Sequence, residues 1–166
     1  SYNIFVILAR RRGSTINMMY IVANWKTYLT PSQSADLAGN LYVDFSDAKN
    51  LDLILCPSTE SLISVADGSE RDVIELDAQD VWGKESPATG ITSINSLVEI
   101  GVKYCLIGHS ERREYFCETN EMIREKFAVL VKNKITPILC VGETAEELVA
   151  GKRDQILAEQ IQSVIS

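Results

Sequence analysis

Five short apolar runs recur along the chain, and most of them do not alternate with polar residues. They are rich in β-branched side chains and occupy residues 20–23, 51–56, 73–76, 103–107 and 135–141. Continuous apolar runs of this length are typical of parallel strands that are covered on both faces. We therefore predict five buried strands.

Helical patterns lie between these runs. Thr119 is placed to cap a helix with apolar positions at Met122, Ile123, Phe127, Leu130 and Val131. A second pattern over residues 94–98 stops at Gly101, where a helix C′ residue is expected. Residues 144–147 read Thr-Ala-Glu-Glu, which fits a capping box, and a further helical pattern follows Gly151.

Strand and helix patterns alternate five times, which indicates parallel strands joined by right-handed crossovers. Two architectures fit this order: an open doubly wound sheet, or part of a closed (β/α)8 barrel. Neither G-x-G-x-x-G nor a P-loop is present in the sequence. The first strand is followed instead by Asn24-Trp25-Lys26, which is polar and cationic where a nucleotide-binding fold has glycines.

Both architectures place function at the carboxyl ends of the strands. We therefore expect Lys26, from the first strand, to converge with His109 and Glu111, from the fourth, on one rim. A lysine beside an amide can hold an anion and polarise a carbonyl. Taken singly, Lys26 also fits a solvated surface lysine, and Glu111 with Arg112 a surface ion pair.

His109 is the only histidine in the chain. It follows an apolar run and Gly108, and Ser110 comes next, so a short helix is expected to begin there. Backbone N–H groups at a helix start would point at the ring, and the helix dipole disfavours imidazolium. A neutral imidazole could donate a proton to a developing enolate oxygen. The alternative is a core histidine whose hydrogen bonds are satisfied internally.

Composition narrows the class of protein. The net charge is −7, which argues against a nucleic-acid binder. No apolar stretch reaches the roughly 18 to 20 residues of a membrane span. The four cysteines, at positions 56, 105, 117 and 140, include no C-x-x-C pair, and one histidine leaves no zinc pattern. Three of them, Cys56, Cys105 and Cys140, lie in or beside apolar runs, so we expect buried, reduced thiols and a cytoplasmic protein.

Residues 1–19 differ from the rest, since they contain arginines at positions 10–12 and no acidic residue. The apolar run precedes the arginines, which is the wrong order for a secretory signal. We interpret this segment as a non-native or disordered extension, with Met18 or Met19 as the natural start. The alternative is an organellar transit peptide.

Four motifs resemble one known family. They are "ANWK" at residues 23–26, "DAQD" at 77–80, "IGHSERR" at 107–113 and "ILCVGET" at 138–144. Their order and spacing over residues 20–166 are similar to those of triosephosphate isomerases. The resemblance implies a (β/α)8 barrel and the interconversion of dihydroxyacetone phosphate and glyceraldehyde 3-phosphate through an enediolate. It implies a role in glycolysis and gluconeogenesis, a homodimer, and no metal or organic cofactor.

The resemblance also implies roles for individual residues. Asn24 and Lys26 would contact the substrate, and Lys26 would be the cation near its phosphate and developing oxyanion. His109 would be the neutral electrophile, in the family that is the standard example of a histidine kept neutral by a helix N-terminus. Glu111 would be an acid hydrogen-bonded near Lys26. Structural support from the fifth strand is implied for Cys140 and Glu143.

The chain departs from the family at a loop that reaches into the partner subunit. Residues 86–91 read Ser-Pro-Ala-Thr-Gly-Ile, where the family is close to Gly-Ala-Phe-Thr-Gly-Glu. Thr89 matches, but Ile91 replaces a glutamate that pairs with an arginine across the interface, the counterpart of Arg112. Asp80 stands where the family has Asn. We therefore expect a weakened dimer.

The sequence holds five βα units, where the resemblance calls for eight. The general-base glutamate, the lid and the glycine-rich phosphate loops of the family would belong to the other three units. No glutamate of the fifth unit maps onto that base. We therefore expect a partial barrel over residues 20–166 that is inactive by itself. The alternatives are a non-catalytic barrel fragment with a structural or complementing role, and another phosphate-handling barrel enzyme.

Overall fold

The computed structural model describes residues 3–10, 17–68 and 74–165. Within them the strands are β1 Asn3–Arg10, β2 Asn17–Asn24, β3 Leu51–Cys56, β4 Ile74–Ala78, β5 Tyr104–Ile107 and β6 Thr136–Leu139. The α-helices are α1 Pro31–Phe45, α2 Leu62–Gly68, α3 Ile94–Ile100, α4 Ser110–Tyr115, α5 Asn120–Lys132, α6 Ala145–Val149 and α7 Arg153–Ile165. A 3₁₀ turn, Thr59–Ser61, precedes α2.

The fold is a partial (β/α)8 barrel, in which five parallel strands, β2 to β6, alternate with helices. This confirms the five predicted strands and selects the barrel over the open sheet. Their bounds shift by a few residues, and residue 73, the first of the third predicted strand, lies outside the described residues. The described residues fall into two compact units, one within 1–79 and 95–104, the other within 80–94 and 105–166.

In the first unit, β2, β3 and β4 are parallel neighbours. Ala23 pairs with Leu55, which in turn pairs with Leu76. β3 has buried side chains at four successive positions, from Leu53 to Cys56, as expected for a strand covered on both faces. Helices α1 and α2 pack together, and Ala38 of α1 is fully buried. The apolar runs of the sequence are therefore the core of this unit.

Strand β1 pairs antiparallel with β2, in a register that places Asn3 opposite Asn24 and Arg10 opposite Asn17. The sequence reading did not predict this strand, although residues 4–9 are apolar and include three β-branched residues that favour strands. Residues 1–2 and 11–16 lie outside the described residues. That residues 1–19 are an addition to the domain stays a prediction.

The predicted helix starts and stops are confirmed. Thr119 accepts a hydrogen bond from the backbone N–H of Met122 at the start of α5. Thr144 and Glu147 form both hydrogen bonds of a capping box at α6. Gly101 ends α3 with φ of +85°, as a C′ glycine does. In the second unit, α5 packs on α7 and β6, with Ile123 and Leu130 fully buried.

None of the helices in the described part of the chain is both long enough and apolar enough to cross a membrane.

Candidate active site

The segment after β2 makes a tight, polar turn. Asn24 is buried, and its Oδ1 accepts a hydrogen bond from the backbone N–H of Lys26 at 2.9 Å, which is an Asx turn. Lys26 has φ of +52°, in the left-handed region that residues other than glycine rarely occupy. Trp25, between them, is buried. The turn thus fixes an asparagine and a lysine side by side at the carboxyl end of the first barrel strand.

Two neighbouring strands support this turn. The backbone N–H of Trp25 donates to the carbonyl of Cys56, the last residue of β3, at 3.0 Å. Gln79, just after β4, donates from Nε2 to the carbonyl of Lys26 at 2.7 Å and to that of Cys56 at 2.9 Å. The carboxyl ends of β2, β3 and β4 are therefore joined by hydrogen bonds around Lys26.

The cysteines are partly as expected. Cys56 is fully buried, and its Sγ donates to the carboxylate of Asp77, also fully buried, at 2.6 Å. Cys105 is buried as expected, but Cys140 is only half-buried. Cys117, for which no apolar run predicted burial, is exposed. It lies in the loop between α4 and α5, where no apolar run surrounds it. All four cysteines are thiols.

His109 lies at the carboxyl end of β5 and is the N-cap residue of α4, as predicted. Its side chain is nearly buried, and Nδ1 accepts a hydrogen bond from the backbone N–H of Glu111 at 3.3 Å. The Glu111 carboxylate is 3.6 Å from the same nitrogen, beyond hydrogen-bond distance, so the backbone N–H is the partner. A ring nitrogen can accept only when unprotonated, which indicates a neutral imidazole with its proton on Nε2.

Gly108 sets the direction in which the chain enters α4. Its φ is +71°, and an added Cβ would lie 3.0 Å from a guanidinium nitrogen of Arg113 and 3.2 Å from the carbonyl oxygen of Cys140. The carbonyl of Gly108 accepts from Arg113 Nε at 2.8 Å, while another nitrogen of that guanidinium donates to Asn120 at 2.7 Å. Both the backbone angle and the close neighbours of this position therefore favour glycine.

Four charged side chains, two of them buried and two half-buried, form a network in the same unit. Arg112 contacts Asp80 at 2.9 Å and Glu118 at 3.1 Å. Lys126 contacts Asp80 at 2.5 Å and also Glu118. The side chain of Glu118 is fully buried, and that of Lys126 is 4% exposed. Two carboxylates thus share two cations, which offsets the cost of taking Glu118 and Lys126 out of water and partly desolvating the other two charges.

The network moves the pKa values of its two acids in opposite directions. Burial raises the pKa of Asp80 above its ordinary value, since desolvation outweighs the attraction of Lys126 and Arg112. Burial acts on Glu118 in the same sense, but hydrogen bonds and charges from Lys126 and Arg112 outweigh it and lower the pKa of Glu118. Burial also lowers the pKa of the neighbouring Arg113.

Comparison with known proteins assigns this arrangement to a family. The family model for triosephosphate isomerase matches residues 19–166. The chain is 42% identical to the triosephosphate isomerase of Clostridium novyi over 142 residues, which are 85% of this chain and 56% of that protein. It is 38% identical over 143 residues to that of Carboxydothermus hydrogenoformans, covering 86% and 57%. The chain belongs to the triosephosphate isomerase family. It spans a little over half the length of these relatives.

The four motifs that resemble the triosephosphate isomerase family are divided between the two units. Asn24 and Lys26 lie in the first unit, and His109 and Glu111 in the second. The roles that the family resemblance implies for these residues stay predictions, and so does their convergence on one rim.

The residues expected at a subunit interface are Thr89, Ile91 and Arg112. Thr89 is exposed, as is Ile91 at 40%. Arg112 pairs with Asp80 and Glu118 of its own chain and stacks on Phe116, with its guanidinium carbon 4.9 Å from the ring centre. In this member of the triosephosphate isomerase family, Asp80 therefore supplies Arg112 with an intramolecular carboxylate. The interface roles themselves stay predictions.

The fifth barrel strand contributes the two predicted supporting residues. The backbone N–H of Cys140 donates to the carbonyl of Ile107 at 2.9 Å, next to His109. Glu143 contacts Arg153 of α7 at 3.4 Å. Gln160 of α7 holds the loop between them, because its amide exchanges two hydrogen bonds of 2.9 Å with the backbone of Gly142.

The sequence reading missed four residues that surround these sites. Gln79 and Arg113 lie inside the quoted motifs, but the sequence does not show which groups they hydrogen-bond. Glu118 and Lys126 lie outside the motifs. The sequence did contain a signal for Lys126. It follows Ile123 by three residues on a predicted helix, so it lies on the same side of the helix as an apolar core position.

Proposed function

We propose that the protein to which this chain belongs interconverts dihydroxyacetone phosphate and glyceraldehyde 3-phosphate through an enediolate. Membership of the family supports this reaction. The observation that carries it is the hydrogen bond from the backbone N–H of Glu111 to Nδ1 of His109. It leaves Nε2–H of a neutral imidazole as a donor at the carboxyl end of β5.

In the proposed mechanism, the two substrate oxygens become negatively charged in turn as the proton moves between neighbouring carbons. His109 donates from Nε2 to the oxygen that carries the developing charge, and passes a proton from one oxygen to the other. A donor with this geometry gains strength as the enediolate forms, so it stabilises the transition state more than the ground state. Lys26 supplies a fixed positive charge for the phosphate and the oxyanion, and Glu111 is the acid that the family resemblance places in a supporting role.

The general base of the family has no counterpart that we can map onto these 166 residues. We therefore propose that this chain alone has negligible isomerase activity, because a general base contributes about 10² to 10⁴ to proton transfer. We also propose a cytoplasmic location, a place in glycolysis and gluconeogenesis, and a homodimer weakened by Ile91.

A chimera tests the proposed reaction. The 166-residue chain is fused to the part of the Clostridium novyi relative that follows the matched region, and turnover of glyceraldehyde 3-phosphate is measured in a coupled assay. We expect the chimera to be active and the unfused chain to show less than about 1% of its rate. Within the chimera, His109→Gln should lower kcat by about 10² or more with little change in KM.

Gln160→Met in the same chimera is the matched control, because it alters a buried hydrogen-bonded side chain that the proposed mechanism does not use. Its kcat should stay within a few-fold of the parent. A folded chimera without turnover, or an unchanged kcat in His109→Gln, would contradict the proposed function.

A further inference from the structure

We propose that Gln79 is a positioning residue for Lys26, holding the lysine backbone in its left-handed conformation from the end of the neighbouring strands. The geometric part of this proposal stands on the first unit alone. Only the benefit of holding Lys26, a cation placed for an anionic substrate, rests on the proposed function.

The backbone conformation of Lys26 needs support from other residues. Its φ of +52° lies where residues with a Cβ are disfavoured by contact between that atom and the backbone. On the N-terminal side of Lys26, its backbone N–H donates a hydrogen bond to Asn24 Oδ1 within the turn. The other side, the carbonyl of Lys26, accepts from Gln79 Nε2 at 2.7 Å. Gln79 is separated from Lys26 by 53 positions in sequence.

Both hydrogens of the Gln79 amide have an acceptor. One goes to the carbonyl of Lys26, and the other to the carbonyl of Cys56 at 2.9 Å. Two carbonyl oxygens can only face the NH₂ group, so the orientation of the amide is fixed. Since the N–H of Trp25 donates to that same Cys56 carbonyl, the end of β3 is the fixed point to which both the turn and Gln79 are bonded.

This arrangement preorganises the lysine. A side chain on a residue with positive φ leaves the backbone in a different direction from one with negative φ, so relaxation of Lys26 would move its ammonium group away. A cation that is already in place stabilises developing negative charge without reorganisation at the moment of reaction. Gln79 itself contacts backbone carbonyls, so it acts through Lys26.

Amide hydrogen exchange of the 166-residue chain tests the proposal without any need for activity. Gln79→Met removes both donors at similar size. We expect the amides of Trp25 and Lys26 to exchange at least about tenfold faster, with Gly142 unchanged. The matched control is Gln160→Met, whose wild-type amide bonds the backbone of Gly142 in the other unit. That control should accelerate Gly142 and leave Trp25 and Lys26 unchanged. If Gln79→Met does not fold, Gln79→Asn, which keeps the amide on a shorter stem, takes its place.

A second background separates positioning from an ordinary structural hydrogen bond. Glycine adopts positive φ without the Cβ penalty, so Lys26→Gly removes the strain that Gln79 is proposed to hold. In Lys26→Gly, adding Gln79→Met should change the exchange of Trp25 by less than about threefold. An equal acceleration in the lysine and glycine backgrounds, or none in either, overturns the proposal.

The two proposals fail separately. Faster exchange in Gln79→Met together with an inactive chimera supports positioning by Gln79 and contradicts the isomerase reaction. Unchanged exchange together with an active chimera overturns the positioning role and leaves the reaction standing. When both hold, Gln79→Met in the chimera should lower kcat more than it raises KM, because a misplaced cation fails chiefly in the transition state.

Discussion

The backbone N–H of Glu111 donates a hydrogen bond to Nδ1 of His109 at 3.3 Å, so the imidazole caps its own helix. Ser, Thr, Asp and Asn are the residues that usually accept this bond, through an oxygen. When a ring nitrogen accepts it, the bond also selects a tautomer. Local helix capping therefore fixes the protonation of the one histidine in the chain.

The first prediction concerns that tautomer. In protein labelled with ¹⁵N at histidine, the single ring should show an unprotonated Nδ1 and a protonated Nε2 at neutral pH. Because His109 is the only histidine, the two ring resonances need no assignment by mutation. Glu111→Gln is the matched control, since it keeps the backbone N–H and removes the carboxylate 3.6 Å away. A switch to the Nδ1–H form in this variant, or its presence in the parent, would contradict the assignment.

The second prediction concerns Gly108. Gly108→Ala should lower the free energy of unfolding by about 2 kcal/mol or more, because φ of +71° is costly for alanine and the new Cβ meets Arg113 and Cys140. Urea unfolding followed by circular dichroism measures the change.

Gly151→Ala separates the two causes of that loss. Gly151 also has a positive φ, of +68°, but nothing lies within 4 Å of an added Cβ. It should therefore cost only the backbone penalty, about 1 kcal/mol. Equal losses at Gly108 and Gly151 would show that the contacts with Arg113 and Cys140 contribute nothing.

The sequence predicts those features of the structure that depend on contacts between residues close together in the chain. The starts of α4, α5 and α6 depend on residues within three positions of one another, and all three were predicted. Gln79 and Lys126 were missed, because their partners lie 53 and 46 positions away. Their residue types alone do not say which backbone carbonyl or carboxylate will be in reach. β1 was missed because the arginines that follow it suggested an extension.

The third prediction compares two lysines of α5, one in a buried ion pair and one in an exposed ion pair. Lys126→Met should lower the free energy of unfolding by about 3 kcal/mol or more, because the buried Glu118 and the half-buried Asp80 would keep only Arg112 as a counter-charge. Lys132→Met, on the same helix, removes an exposed pair with Glu85 and should leave the urea midpoint almost unchanged. Similar effects of the two substitutions would mean that the network is not buried in solution.

The fourth prediction concerns the pH dependence of stability in Glu118→Gln. The pKa of Glu118 is lowered from its ordinary 4.5, so the folded state binds this proton less readily than the unfolded state. The contribution of the carboxylate to stability is therefore present above the unfolded pKa and is lost as pH falls through the folded one. The stability difference between the parent and Glu118→Gln should shrink from pH 7 to pH 3.5 in urea unfolding.

Asp80→Asn should show the opposite slope. The pKa of Asp80 is raised from 3.8, chiefly by burial, so the folded state binds this proton more readily than the unfolded state. The stabilising contribution of its carboxyl is fully present below the unfolded pKa and is lost as pH rises through the folded one. The parent should therefore gain stability relative to Asp80→Asn as pH falls over the same range. Slopes of the same sign for Asp80→Asn and Glu118→Gln would contradict the opposite pKa shifts of the two acids.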